Sequence, residues 1–200
     1  MRNLNKAAED VLNDTRRWLE RAVIGLNLCP FAKAVHVKGQ IHYAVSEAID
    51  SRDLLADLRR ELDGLVDSDP SLRDTTLLIA PHTLNDFLDF NDFLVQADRV
   101  LVRLGLEGII QIASFHPDFQ FAGTDPQDIG NFTNRSPYPM LHLLREASID
   151  RAVAAYPQAE QIFQKNIETL QKLGGVGWVA LGVGTRKDPV SAETHGKIEP

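Results

Sequence analysis

The sequence predicts an α/β fold, with a single globular domain at 1–186, a small and mainly parallel sheet covered by helices, and a flexible C-terminal tail at 187–200. The first observation is the order of the periodic segments in the middle of the chain: strand, helix, strand, helix and strand. Such alternation favours parallel pairing through crossover helices. The second is the length of 200 residues, which suffices for one core without disulfide or metal support. An α+β sandwich with a mixed or antiparallel sheet is the alternative, because the pattern does not fix the order of the strands.

The first quarter of the chain predicts a long helix and a β-hairpin. Apolar residues recur at helical spacing from Leu4 to Leu26, so we expect an amphipathic helix that ends before Pro30. Residues 41–45 are predicted to form a short strand. Residues 35–37 are its expected hairpin partner, across a Lys-Gly turn.

Two further helices flank a buried strand. Asp50 is a typical helix N-cap, and the leucines within 54–65 supply the apolar face of the helix that follows. Residues 75–80 form a compact apolar run that predicts a strand. The next helix carries apolar residues as far as Leu104, and Gly105 is a suitable C-cap.

The second half begins with the strongest strand prediction, at residues 108–115. The stretch at 117–138 lacks periodicity, and a loop of that length in a compact domain is either functional or a structural Ω-loop. Two helices are expected at 139–155 and 158–173. Residues 176–183 are expected to form a last strand.

Composition and charge exclude several classes of protein. The 21 basic and 28 acidic side chains give a formal net charge of −7, so a basic surface for nucleic acid is not expected. No apolar run approaches the roughly 20 residues that span a bilayer, and no signal-peptide core follows the first methionine. A single cysteine excludes an intrachain disulfide framework. We therefore expect a cytoplasmic protein that binds neither nucleic acid nor membrane, while its oligomeric state is left open.

Histidines follow two of the predicted strands. If these strands are parallel, His82 and His116 both leave the carboxyl edge of one sheet, where ligands bind in open α/β folds. The pKa of an imidazole lies near neutrality, so His116 and His142 are candidate acid/base catalysts. Phe119, in the loop after His116, is a candidate for stacking on a ligand.

A candidate anion site adjoins this loop. If a helix begins near Pro139, its electropositive end and two nearby arginines suit a phosphate or a carboxylate. The expected ligand contacts are Asn134, Arg135, Ser136 and Arg145. The alternative is a solvated helix face on which His142 pairs with Glu146.

The single cysteine is a further candidate. If a short helix begins at Pro30, Cys29 takes the N-cap position, which lowers the pKa of a thiol and favours a nucleophilic thiolate. The alternative is a buried structural cysteine, which the neighbouring Leu26 and Leu28 favour. A metal site built from Cys29 and the histidines is a third option. No pair has the short spacing of metal ligands, and the sequence identifies neither a metal nor a cofactor.

Three motifs resemble one known family. They are Cys-Pro-Phe at 29–31, Ser-Phe-His-Pro at 114–117 with Phe119 and Phe121, and the segment at 131–146. Together with the stretch at 89–108, they resemble the family called domain of unknown function 1415, found in bacteria and plants. The resemblance covers nearly the whole chain. It implies a single-domain, soluble bacterial protein and carries no established activity.

Two functions follow from these candidates. The first is an enzyme that acts on a small anionic metabolite, phosphorylated or carboxylated, by acid/base chemistry of His116 or His142. Cys29 would then be a nucleophile or part of the wall of the site. The second is a non-catalytic module that captures an anionic metabolite or a partner protein through the same surface, and it needs neither a base nor a thiol.

Overall fold

Four strands form one sheet: β1 (Ile41–Val45), β2 (Thr75–Ile79), β3 (Ile110–Phe115) and β4 (Met140–Arg145). Their order across the sheet is β1-β2-β4-β3. β1 and β2 are parallel, whereas β4 is antiparallel to both β2 and β3. The computed structural model describes residues 2–156 and 158–184, so the predicted tail at 187–200 lies outside the described residues.

Six α-helices accompany these strands within the described residues. They are α1 (Arg2–Trp18), α2 (Ala32–Val37), α3 (Ser51–Asp67), α4 (Phe87–Leu104), α5 (Glu146–Ala154) and α6 (Ile162–Ala180). α1 continues as a π-helical segment at Leu19–Ile24, and it ends before Pro30 as predicted. In this part of the chain no helix is both long enough and apolar enough to cross a membrane.

The predicted α/β class is confirmed, and the mixed pairing corresponds to the alternative sheet. β2 and β3 run in the same direction, as a crossover helix between them requires. They are not neighbours, however, because β4 lies between them and pairs with both. The strand-helix-strand pattern determines the relative direction of two strands, but it does not determine what lies between them.

The sheet is covered on both faces. α3 and α4 pack on one face, which we call the α3–α4 face, with Leu58 and Phe93 among its fully buried residues. α1 packs on the opposite face, which we call the α1 face, with Trp18 and Met140. Successive residues of a strand point to opposite faces, so each central strand contributes to both cores.

The helix caps at two positions are confirmed. The Asp50 side chain accepts a hydrogen bond from the backbone N–H of Asp53 at 2.9 Å, which satisfies one free donor at the start of α3. Gly105 follows α4 in the left-handed conformation, with φ of 67°.

The predicted helix at 139–155 is wrong in its first half, where residues 140–145 form β4. Leucine has a high helix propensity, and this preference dominates a local interpretation. In the fold, Leu141 and Leu143 are buried on the α3–α4 face, whereas Met140 is buried on the α1 face. Burial on both faces is the environment of a central strand between two partners.

Two predicted strands are helical instead. Residues 35–37 belong to α2, and Gly39 (φ 68°) lies in the turn after it, so the Lys-Gly pair ends a helix instead of closing a hairpin. Residues 176–180 belong to α6, which resumes after a break at Gly174. Valine and tryptophan favour strands, but the packing of Trp178 against the α1 face overrides that preference here.

Candidate functional site

The long loop between β3 and β4 is folded on itself. Its centre is Asn131, which is fully buried. The Oδ1 of Asn131 accepts hydrogen bonds from the backbone N–H of Phe121 (3.0 Å) and the hydroxyl of Thr124 (2.9 Å), while its Nδ2 donates to the carbonyl of Asp125 (2.9 Å). One buried amide thus joins three points of the loop, as in an ordered Ω-loop.

His116 connects the two loops that leave the carboxyl ends of β2 and β3. Its Nδ1 accepts a hydrogen bond from the backbone N–H of Asp118 (3.0 Å), so the neutral ring carries its proton on Nε2, which donates to the carbonyl of Leu84 (3.0 Å). The ring is fully buried beside Phe87 and Phe90, and burial lowers its pKa. In this arrangement His116 offers a substrate neither ring nitrogen.

The side chain of Arg135 is hydrogen-bonded to the backbone of the same loop. Its guanidinium donates to the carbonyls of Phe119 (3.3 Å) and Pro126 (2.7 Å), and it lies 4.2 Å from the ring centroid of Phe132. Its own carbonyl accepts a hydrogen bond from the indole of Trp18 at 2.8 Å. These contacts tie the loop to itself and to α1.

The other polar residues predicted for this site also bond within the protein. The Nδ2 of Asn134 donates to the carbonyl of Ser114 at 3.3 Å, and the hydroxyl of Ser136 donates to the carbonyl of Tyr138 at 2.6 Å. The expected helix start near Pro139 is wrong, because the chain enters β4 there. The predicted anion site therefore lacks the helix dipole on which it depended.

Arg135 and Arg145 lie at opposite edges of the sheet. Met140 is paired with Phe115 at the carboxyl end of β3, whereas Arg145 is paired with Ile110 at its amino end. Six strand residues span about 17 Å. The two arginines therefore do not converge on one small anion.

Arg145 instead caps the C-terminus of α3. Its guanidinium donates to the carbonyls of Leu65, Ser68 (2.7 Å) and Arg73 (3.3 Å). A cation at this end of a helix is favourable because the last carbonyls carry partial negative charge.

The ring of His142 is hydrogen-bonded through one of its two nitrogens. Its Nε2 lies 2.7 Å from the hydroxyl of Thr75, which itself donates to the carbonyl of Leu143 at 2.7 Å. Because that hydroxyl has only one proton, it accepts from the Nε2–H of His142. The Nδ1 then has a free lone pair, with no hydrogen-bond partner in the described part of the chain. Burial lowers the pKa of His142 to about 4, so the ring is neutral at pH 7.

Cys29 does not cap a helix. α2 begins at Ala32 with Phe31 as its N-cap, so the predicted N-cap position of Cys29 is wrong. The side chain packs against the α1 face. Burial raises the pKa of the thiol, although the backbone N–H groups of Phe31 and Ala32 lower it in part. The raised pKa favours the protonated thiol over the thiolate.

The sheet separates the three predicted catalytic residues. His116 packs against α4 on the α3–α4 face, whereas Cys29 and His142 lie on the α1 face. Phe119 contacts the rings of Phe87 (5.4 Å) and Phe121 (4.9 Å), so it belongs to an aromatic cluster of the loop. Over residues 2–156 and 158–184, no group of three or more His, Cys, Asp or Glu side chains is arranged to hold a metal ion.

A cavity of about 370 Å³ lies between the turn after the first helix and α6; we call it the α6 cavity. Its polar lining residues are Asn27, Tyr156, Lys165, Asn166, Glu168, Thr169 and Lys172. Asn166 is only 5% exposed, and its Nδ2 donates to the carbonyl of Leu28 at 2.8 Å. Its Oδ1 has no hydrogen-bond partner among the described residues. This site was not predicted from the sequence, because its two walls are more than 120 residues apart along the chain. The spacing of Lys165 and Lys172 on one helix is the one signal that the sequence contains.

A second cleft of about 370 Å³ lies beside α5. Three of its polar side chains, those of Asp74, Ser148 and Arg151, are already paired with one another. Gln40 donates to the carbonyls of Pro70 and Ser71. Ser148 donates to the carboxylate of Asp74 at 2.6 Å and accepts from Arg151 at 2.9 Å. The cleft therefore offers a ligand fewer free polar groups than the α6 cavity.

The comparisons with known proteins bear on the predicted family. Neither curated proteins nor solved structures give a match. The model of a family described as "Protein of unknown function (DUF1415)" matches residues 10–180. That range includes all three sequence motifs and most of the chain, and the predicted resemblance is confirmed: the chain belongs to the DUF1415 family.

Proposed function

We propose that the protein is a non-catalytic module that binds a small anionic metabolite, phosphorylated or carboxylated, in the α6 cavity. The observation that carries the proposal is Asn166, a buried polar residue that lines the cavity together with two lysines. A volume of about 370 Å³ falls within the range of small-molecule sites.

The lysines supply the charge that an anion requires. Lys165 and Lys172 are seven residues apart on α6, which is close to two helical turns, so both lie on one face. Lys165 donates to the side chain of Gln158 at 2.6 Å, and Lys172 has no ion pair among the described residues. Glu168 lines the same cavity, so the net charge of the two lysines and this carboxylate is +1.

The uncharged groups restrict the ligand further. The free Oδ1 of Asn166 accepts a hydrogen bond, so it favours a ligand with a hydroxyl or N–H group. The hydroxyl of Thr169 already donates to the carbonyl of Lys165 at 2.7 Å and can only accept from a ligand. A hydroxylated phosphate or carboxylate satisfies both oxygens and both lysines.

The anion site predicted from the sequence, at Arg135 and Arg145, is less suitable for an anion than the α6 cavity. Arg135 and Arg145 each donate to several main-chain carbonyls. A ligand there would have to replace those bonds and release a loop or a helix end. The α6 cavity requires no such rearrangement.

Titration calorimetry with inorganic phosphate, glucose 6-phosphate and succinate tests the proposal at constant ionic strength. We expect at least one of the three to bind, and Lys172→Ala to weaken its binding about tenfold, as for the loss of a charged hydrogen bond. Asn166→Asp should also weaken it, because the added carboxylate repels the ligand. Lys6→Ala, an exposed helical lysine that does not line the cavity, is the matched control. Heats that are equal in Lys172→Ala and the wild-type protein would overturn the proposal.

A second candidate function is an enzyme that uses His142 as its base, favoured by the free Nδ1 of this residue and its fixed tautomer. Proton NMR of a mixture of phosphorylated and carboxylated metabolites would detect turnover, which should disappear in His142→Gln. A non-catalytic module predicts instead that Cys29→Ser combined with His142→Gln leaves ligand binding unchanged.

A further inference from the structure

The sheet has two edge strands, and the edge formed by β3 is protected at both ends. The backbone N–H of His116 donates to the carbonyl of Asn134 (3.2 Å), and the Nδ2 of Asn134 donates to the carbonyl of Ser114 (3.3 Å). At the start of the strand, the N–H of Ile110 donates to the carbonyl of Leu106 at 3.0 Å. A loop that covers the end of an edge strand in this way prevents another strand from pairing with it.

The opposite edge, formed by β1, is open. The N–H of Ser46 donates to the carbonyl of Ile79 at 2.8 Å. Six residues earlier, the carbonyl of Gln40 accepts from the N–H of Thr75 at 3.3 Å. Backbone groups alternate between the two sides of a strand, so the even-numbered residues of this segment face β2 and the odd-numbered residues face away from the sheet. The outward N–H and carbonyl groups have no hydrogen-bond partner among the described residues; they belong to Ile41, Tyr43 and Val45.

These outward groups are self-complementary about Tyr43. If the β1 of a second copy lies antiparallel with a two-fold axis at Tyr43, this residue exchanges two hydrogen bonds with the partner's Tyr43. Ile41 then exchanges two with Val45 of the partner subunit, and Val45 exchanges two with Ile41 of the partner subunit. Every unpaired backbone group of both edges is satisfied by this one register. We propose that β1 is the interface of an antiparallel homodimer, in which two four-stranded sheets join into one.

Two exposed apolar side chains flank the strand and favour a second copy as its partner. Val37 and Ile49 are 76% and 77% exposed, and each lies six residues from Tyr43, one before it and one after it. Antiparallel pairing places the start of one β1 beside the end of the other, so Val37 comes beside Ile49 of the partner subunit. Residues 41–45 contain no Asp, Glu, Lys or Arg, so no like charges of these types oppose each other across the two strands.

The expected dimer is weak and closed. Five strand residues span about 17 Å, and one pair of such strands buries less than the roughly 1,200 Å² of a standard stable interface. The same edge serves both subunits, so the contact is isologous and ends at two copies. We expect the dissociation constant in the micromolar range.

Sedimentation velocity tests the interface with the full chain at concentrations from about 1 μM to about 1 mM, the range of weak dissociation constants. The wild-type protein should shift from monomer to dimer. Val45→Pro removes an N–H that faces away from β2, so it removes hydrogen bonds to the partner and none within the sheet. Val45→Ala is the matched control, because it shortens the same side chain and keeps the N–H. The proline variant should dimerise at least about tenfold more weakly than the alanine variant.

A second pair of variants tests the flanking side chains without touching the strand. Ile49→Asp should weaken the dimer about tenfold, because it places a carboxylate beside the apolar Val37 of the partner subunit. Leu88→Asp is its matched control: Leu88 is 72% exposed but lies on α4, which contacts β3 at the other edge of the sheet. This variant should dimerise like the wild type.

Cross-linking tests the register, in a Cys29→Ser background and with copper phenanthroline as the oxidant. Tyr43→Cys should form a disulfide-linked dimer, because the Cα atoms of a hydrogen-bonded antiparallel pair are about 5.5 Å apart. His42→Cys is the matched control: its two copies would be about 8 Å apart, beyond the reach of a disulfide, although His42 is the more exposed residue. Far-ultraviolet circular dichroism checks the folding of each variant. A wild-type protein that stays monomeric, a Val45→Pro variant that dimerises as well as Val45→Ala, or cross-linking of His42→Cys in place of Tyr43→Cys would overturn the proposal.

Discussion

The Nε2 of His116 donates a hydrogen bond to the carbonyl oxygen of Leu84 at 3.0 Å. Leu84 has a φ of 56°, in the left-handed region that costs a leucine about 1–2 kcal/mol. The histidine thus holds the strained loop after β2 against the loop after β3. The hydrogen bond joins the two loops that leave the carboxyl ends of β2 and β3 on the α3–α4 face of the sheet.

Because the buried ring of His116 is hydrogen-bonded to both loops, we expect His116→Ala to lower the stability of the protein strongly. The variant removes two hydrogen bonds of a fully buried ring and leaves a cavity beside Phe87 and Phe90, which should lower the free energy of unfolding by about 3 kcal/mol. Urea denaturation measures the change. His82→Ala, at an exposed position near the same edge, should change it by less than about 0.5 kcal/mol. A His116→Ala variant as stable as the wild type would contradict this structural role.

The sequence locates this edge correctly, but it does not reveal the hydrogen-bond partners of His116. The parallel direction of β2 and β3 follows from the helix between them, so the proximity of the two loops was predictable. Whether His116 faces a substrate or the backbone of Leu84 depends on side-chain packing between segments about 30 residues apart. A pattern of residue types contains no such distance.

The separation of Arg135 and Arg145 could not be predicted for the same reason. Arg135 and Arg145 are ten residues apart, and a helix between them would have brought them close. Whether residues 140–145 are helix or strand depends on the gap between β2 and β3, which only the assembled sheet creates. Helix caps such as Asp50 and Gly105 depend on local geometry alone, and for that reason they were predicted correctly.

Arg145 should stabilise the protein through the end of α3. Arg145→Gln removes a cation that donates to three backbone carbonyls, and we expect the free energy of unfolding to fall by about 2–4 kcal/mol. Arg59→Gln, at an exposed position on the same helix, is the matched control and should have little effect. Thermal and urea denaturation give the comparison. Equal stability of the two variants would show that the cap contributes nothing.

Cys29 should be unreactive in the native protein. Burial raises the pKa of its thiol, so the thiolate that attacks iodoacetamide is scarce near pH 6.5. We expect alkylation, followed by mass spectrometry, to be at least about tenfold slower than for the urea-unfolded chain at the same pH. Rapid modification of the folded protein would instead identify Cys29 as an accessible thiolate and return it to the list of candidate nucleophiles.

His142 should make stability depend on pH between about 4 and 6.5. Its pKa is about 4 in the folded protein against an ordinary value of 6.5, so in this interval the unfolded chain binds more protons and stability falls as the pH falls. The full difference corresponds to about 3 kcal/mol by pH 4. His142→Gln keeps a donor for Thr75 but cannot titrate, so its stability should decline less over the same interval. Urea denaturation at several pH values compares the two proteins, and NMR titration of the ring gives the pKa directly. Parallel pH profiles for the two proteins would contradict a low pKa for His142.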